Sequence, residues 1–309
     1  CISSAASDVY KRQVTAVAVL FALLASNVLP QREASSSAAA RSSVPWLQIL
    51  LLTLAVISVS LGSTSSSAVN NFIGIVMAVF LAVVLMRIES RAKQTLLPSG
   101  ALRLRSPLAA LYGLMSLLVV MITSGEVFVP LFLQVLHQQS PLAAGYLAAL
   151  MAAGWTLGSL VGSGFSGRGV DRALMIGPAL GWLGMIGLVL WVPAAGSGTW
   201  LQMVPICVAL AVIGIGVGLA WPHLLTRVLT SAPPEEQERA GASITTVQLF
   251  ATAAGAALAG MVANAAGLIE PGGAEGTARA ARWLFATFAL APMLGMLLVK
   301  RCRLPADMN

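Results

Sequence analysis

Glu126 is the one acidic residue deep inside an apolar run, within PLAALYGLMSLLVVMITSGEVFVPLFLQVL, residues 107–136. Holding a carboxylate at the middle of a bilayer costs about 2.5–3.5 kcal/mol, while each Leu, Ile, Val or Phe returns only about 0.3–0.6 kcal/mol. Such a segment inserts because it is rich in those residues, and its acid is expected to face a bundle interior or a wet cavity. At about 100° per residue, Tyr112 and Pro130 fall about 40° from Glu126, Thr123 about 60°, and Ser116 and Gln134 about 80°. The remaining positions are nearly all Leu, Val, Met and Phe apart from Ser124. The pattern is a polar stripe on a lipid-compatible helix, which Pro130 would bend. A carboxyl group that alternates between wet and shielded surroundings can take up and release a proton, so Glu126 is the candidate for proton coupling. A permanently protonated Glu126 bonded to a neighbouring helix, or one reaching the interface, is the structural alternative.

A second stripe, Thr245, Gln248, Thr252 and Gly255, has spacings of three, four and three and therefore shares one helical face. Gln248 could hold a polar group of a substrate or bond across to another helix, an interaction worth about 0.6–2 kcal/mol in membranes. Trp155 lies far from either end of its apolar run and could stack on an aromatic ligand or simply fill space. Tyr112, Ser116, Thr123, Gln134, Trp155, Thr245, Gln248 and Thr252 are thus the cavity-lining candidates. His137 and His223 read as interfacial residues rather than ligands. Gly154, Gly158 and Gly162, and again Gly177 with Gly181, form small-xxx-small patterns that allow close helix approach, and Gly214, Gly216 and Gly218 could also ease bending.

The elements that position these residues follow from composition. With 58% of the residues hydrophobic and only 9% charged, against roughly a quarter charged in soluble domains, lipid is the solvent for most of this chain. A helix needs about 20 residues to cross the hydrocarbon core, and nine segments approach that length. They are Val14–Leu29, Pro45–Leu61, Asn70–Met86, Pro107–Leu136, Pro141–Ser163, Leu174–Pro193, Trp200–Trp221, Ala242–Ala266 and Ala281–Val299. Ser106-Pro107 and Ser140-Pro141 supply an N-cap followed by a proline whose missing N–H costs nothing there. Trp46, Trp191, Trp200, Trp221 and Trp283 lie near span ends, where aromatic rings anchor at the headgroup level.

A net charge of +7 raises nucleic-acid binding as a possibility, but the basic residues sit in connectors between spans, so none is expected. With Lys11 and Arg12 set aside, alternating the connectors puts fourteen Lys and Arg on one side, while the other has only Arg279 and Arg282. The positive-inside rule makes the basic side and the C-terminus cytoplasmic, in the inner (plasma) membrane of the cell. Cys1, Cys207 and Cys302 are too scattered for a disulfide framework or a metal site. The opening CISSAASDVYKRQ, residues 1–13, reads as a non-native, adapter-derived segment.

From the third span onward the sequence resembles the fourteen-helix drug:proton antiporter branch of the major facilitator superfamily. RIESRAKQTLLPSGALRLRSP (87–107) is similar to that family's linker with a Leu-Pro pair and an Arg-rich approach to the next helix. FLQVLHQQSPLAAGYL (132–147) resembles its Leu-Gln, Ser-Pro, Ala-Gly turn. GIGVGLAWP (214–222) and RAGASITTVQLFATAAGAALAG (239–260) resemble its glycine-spaced helix and the helix after it. The resemblance implies an all-α polytopic membrane protein, with residues 107–309 as the C-terminal six-helix half and 14–106 as a remnant of the N-terminal half plus an inserted helix pair. Five helices upstream would then be missing, and they become expected partners alongside the bilayer, protons and a small-molecule substrate. GFSGRGVDRALMIG (164–177) looks like a degenerate copy of the superfamily's loop motif, making Gly164, Arg168, Asp171 and Arg172 candidates for a cytoplasmic gating loop. Its glycine and last arginine depart from the motif's spacing, and plain positive-inside anchoring with a local ion pair is the alternative.

The function implied by the resemblance is proton-coupled efflux of drugs or other small amphipathic molecules; transport of another metabolite would show similar helices. No G-x-x-x-x-G-K-[ST], H-E-x-x-H or G-x-S-x-G pattern is present, so no ATP site, metal site, cofactor or enzymatic activity is expected. A membrane-embedded enzyme would need a cluster of intramembrane ionisable groups, and a non-transporting receptor would lack a wet central cavity. Because substrate sites of this architecture lie between two repeats, the chain is not expected to transport alone.

Overall fold

The computed structural model describes residues 45–63, 68–92, 95–103 and 106–302, together with Val19. The chain divides into two units, residues 1–44 and 45–309. Of the first, only Val19 is described, as helical, so the expected span Val14–Leu29 lies outside the described residues. Among its described residues the second holds nine α-helices: α1 (Trp46–Ser63), α2 (Ala68–Glu89), α3 (Pro107–His137), α4 (Pro141–Ser163), α5 (Arg168–Trp191), α6 (Trp200–Ser231), α7 (Gln237–Ala265), α8 (Gly273–Phe288) and α9 (Leu290–Val299). They make eight segments long and apolar enough to cross a membrane, with α8 and α9 forming one. The break at Ala289 precedes Pro292, whose missing N–H leaves the Phe288 carbonyl without its helical donor.

The starts of α3 and α4 follow the expected chemistry. Ser106 accepts from the Leu108 N–H and Ser140 from the Ala143 N–H, each just before a proline at the first helical position. Between them the chain turns in three residues, with Gln138 in the left-handed conformation at φ 53°. At 31 and 32 residues, α3 and α6 run about 46–48 Å, well beyond a hydrocarbon core of about 30 Å. α6 continues through Pro222 to Ser231 instead of stopping at Trp221, because local backbone and side-chain bonds, including Thr226 Oγ1 to the Pro222 carbonyl, keep polar groups satisfied past the proline. Trp221 is therefore a mid-helix residue, 9% exposed, and not the interfacial anchor expected from its place beside a proline. Trp46, Trp191, Trp200 and Trp283 are exposed.

α3 is the axis of the bundle, in contact with every later helix. Phe128, Phe132 and Phe285 stack in its core, Phe132 meeting Phe285 edge-on at 5.7 Å. α1 and α2 pair as a hairpin, and α1 packs on α7, where the Asn264 side chain donates to the Ser63 carbonyl at 2.8 Å.

The tightest contacts are made by glycine. A Cβ at Gly158 of α4 would lie 2.3 Å from the Ile215 carbonyl oxygen of α6, and one at Gly214 of α6 would lie 2.0 Å from the Met151 carbonyl oxygen of α4. Gly177 of α5 and Gly216 of α6 stand in the same relation to each other. α6 thus meets both neighbours backbone to backbone, the arrangement that lets helices associate without a hydrophobic driving force. Gly158→Ala is expected to destabilise the bundle by about 1–3 kcal/mol, whereas Gly145→Ala on the same helix, with nothing within 4 Å of its Cβ position, is expected not to. Unfolding in mixed micelles by denaturing detergent compares the two; equal midpoints would contradict the seam.

Candidate functional site

The stripe on α3 is continuous along the helix but its members meet different surroundings. Glu126 is exposed on the surface of the described chain, flanked by exposed Val127. Thr123, three residues earlier, is buried and returns its hydroxyl to the Val119 carbonyl at 2.8 Å, packing where Gly255 of α7 leaves room. Gln134 is half-buried and donates to the Pro130 carbonyl at 2.9 Å. Tyr112 is buried, its hydroxyl bonded to the Ser243 hydroxyl and the Ala240 carbonyl of α7. Tyr112 and half-buried Ser116 line a cavity of about 300 Å³ with Thr246 of α7 and residues of α1 and α2. That cavity does not include Glu126, Gln134 or Gln248.

On α7, Thr245 and Thr252 are exposed, Gln248 is half-buried, and Gly255 is buried against Val120 and Thr123 of α3. Glu126 and this stripe thus leave polar groups on open faces of α3 and α7, two helices in direct contact. Trp155 packs against Trp221, with ring centroids 5.3 Å apart and planes tilted by 59°, so its ring has a protein partner in the α4–α6 seam.

Both histidines bond to backbone carbonyls at helix C-termini, where carbonyls run out of helical donors. His137 Nε2 lies 3.0 Å from the Val192 carbonyl, tying α3 to the end of α5. His223 Nε2 lies 2.9 Å from the Gly162 carbonyl, tying α6 to the end of α4. They are buried cross-ties rather than the interfacial residues their positions suggested.

The segment 164–177 folds differently from a loop. Gly167, at φ 50°, permits the sharp turn that starts α5 at Arg168, six residues before the expected Leu174. Arg168, Asp171 and Arg172 occupy the first turns of that helix, and Gly164 remains in the connector. Arg168 and Arg172 are exposed. Asp171 accepts from Arg227 Nη2 at 2.6 Å, and Nη1 of the same guanidinium donates to the Cys302 carbonyl at 3.0 Å. Arg227 thereby clasps α5, α6 and the end of the α9 segment. Sequence reasoning treated it only as one basic residue among fourteen, because the extension of α6 past Pro222 and the meeting with a residue 56 positions away are not periodic signals. It also passed over Glu89, the last residue of α2, which is buried although it follows an apolar run by only three positions.

Three observations relate the chain to known proteins. The family model described as Major Facilitator Superfamily matches residues 13–256. A probable multidrug-efflux transporter of Mycobacterium tuberculosis strain CDC 1551 / Oshkosh is 31% identical over 262 residues, covering 82% of this chain and 52% of that protein. The corresponding probable multidrug-efflux transporter of strain ATCC 25618 / H37Rv shows the same identity and coverage. The chain spans about half the length of these curated relatives.

The Arg227 clasp yields two expectations. In a double-mutant cycle of Asp171→Asn and Arg227→Gln, unfolding is expected to show a coupling of about 0.5–3 kcal/mol; additive effects would mean the pair contributes no specific energy. Burial pushes the Cys302 thiol up to about 11, outweighing the opposing pull of the Arg227 charge. Since the thiolate is the reactive form and an ordinary thiol titrates near about 8.5, the high value means fewer thiolates at any pH below it. Alkylation of Cys302 at pH 8, with Cys1 and Cys207 replaced by Ser, is expected to be roughly a hundredfold slower than that of a free thiol and to rise about tenfold per pH unit. A free-thiol rate at pH 8 would contradict this environment.

Proposed function

The chain belongs to the major facilitator superfamily, and from that premise we propose that it forms part of a proton-coupled efflux antiporter of drugs or other small amphipathic molecules, with Glu126 as the proton-exchanging group. The observation that carries the proposal is the exposure of Glu126 in the middle of α3, a helix otherwise buried through most of its length. A carboxylate facing lipid at that depth costs about 2.5–3.5 kcal/mol, so the face bearing it belongs against water or protein. The half-length match to the curated relatives supports the same reading: further helices of the whole protein cover this face and enclose a wet cavity. Residues 107–309 then serve as the C-terminal half, with 14–106 as a remnant of the other half and an inserted pair. The basic connectors and C-terminus lie in the cytoplasm at the inner membrane.

In this arrangement Gln134, Thr245, Gln248 and Thr252 stand on or beside the cavity face, and a substrate's polar atoms exchange with them as Glu126 loads and releases its proton. Thr123 packs the stripe against Gly255, and Tyr112 and Ser116 face the chamber beside α1 and α2. Trp155 stiffens the seam between α4 and α6. Gly164, Arg168 and Arg172 are free to meet the partner half at the cytoplasmic end, while Asp171 fixes Arg227. The efflux function named for the relatives is consistent with a wide, weakly polar surface of this kind.

Glu126→Gln, placed in the full-length protein and assayed in inverted vesicles, is expected to lower proton-driven transport at least tenfold while leaving downhill, proton-independent movement of substrate measurable. Undiminished proton-driven transport would remove Glu126 from the coupling step.

A further inference from the structure

We propose that the cavity between the α1–α2 hairpin and the α3–α7 pair is a binding site for a small amphipathic monocation, with the Glu89 carboxylate seating its charge. The cavity, about 300 Å³, has almost wholly apolar walls, among them Leu52, Leu85, Met86 and Phe250. That volume is at the small end of the range for ligand pockets, about 300–1,000 Å³. Its polar contributions come from Tyr112, Ser116, Thr246 and Glu89. Among the described residues no basic side chain lines it.

Glu89 is 6% exposed. Its Oε1 accepts from the Leu97 N–H at 2.7 Å, which folds the connector after α2 back over the cavity. Its Oε2 is buried without a hydrogen-bond partner among the described residues. A carboxylate oxygen left unpartnered away from water is costly, and an arriving cation removes that cost. The Tyr112 hydroxyl does not compete for it, being bonded to Ser243 and Ala240.

Glu89 also borders a second, more polar hollow that holds Arg103, Glu236 and Arg239. There Arg239 donates to Glu236 at 3.2 Å and to Thr95 at 3.3 Å, and the other Glu236 oxygen accepts from the Ser99 N–H and hydroxyl. The charges of Arg239 and Glu236 are thus matched to each other, and Glu89 is the one acid that borders the apolar chamber among the described residues. A cation whose apolar body lies among Leu52, Leu85 and Phe250 fits that arrangement; an anion meets Glu89 at the wall. The cavity does not include Glu126 and involves the hairpin directly.

Equilibrium dialysis of the purified chain in nanodiscs with radiolabelled benzyltrimethylammonium tests the assignment. One saturable site per chain is expected, weakened at least tenfold by Glu89→Gln, which keeps a carbonyl to accept from Leu97 while deleting the charge. Ala109→Phe, which fills the cavity and leaves Glu89 in place, is expected to abolish binding. The uncharged isostere neopentylbenzene is expected to compete at least tenfold more weakly. Absence of a saturable site, unchanged affinity in either variant, equal competition by the neutral isostere, or stronger competition by benzylsulfonate would each overturn the proposal.

Discussion

Backbone-to-backbone contact along α6 is the constraint on which the bundle depends. In lipid the apolar side chains gain little from leaving one hydrocarbon surface for another, so association rests on close packing and on polar groups that have nowhere else to go. Gly214 and Gly218 let α4 approach one side of α6, and Gly216 admits α5 on the other. Once those three helices are set, the ends of the rods fall into register. His223 then reaches the Gly162 carbonyl, and Arg227 reaches Asp171. α3 touches every later helix and leaves Glu126 exposed on the surface of the described residues.

The membrane-spanning architecture was legible in the residues because it follows from length and hydropathy. The serine-proline caps of α3 and α4 were readable for the same local reason, since each needs only a side chain and the N–H groups two or three residues ahead. Polar ends of helices were not. Trp221-Pro222 has the look of an interface, yet the helix runs on to Ser231, because the residues beyond the proline continue a regular backbone ladder. For the same reason Arg168 and Arg172 were read as loop residues although they open α5.

The candidate site was legible as a stripe but not as a set of neighbours. Periodicity gives the face of a helix on which a residue lies, while the identity of the opposing helix depends on the packing order of the bundle. Thus Tyr112 and Glu126 share a face of α3, yet one meets Ser243 and the other an open surface. Glu89 was missed for a related reason. A charged residue at the end of an apolar run ordinarily reaches water, and only the fold-back of Leu97 over the helix end closes that route.

The two histidine cross-ties sit at opposite ends of the rods, His137 where α3 and α5 finish and His223 where α4 finishes beside α6. Together with the glycine seams, they remove the slack by which four helices would otherwise slide past one another. Backbone contacts this close leave little internal room, so a displacement of any one of these helices must carry its neighbours with it.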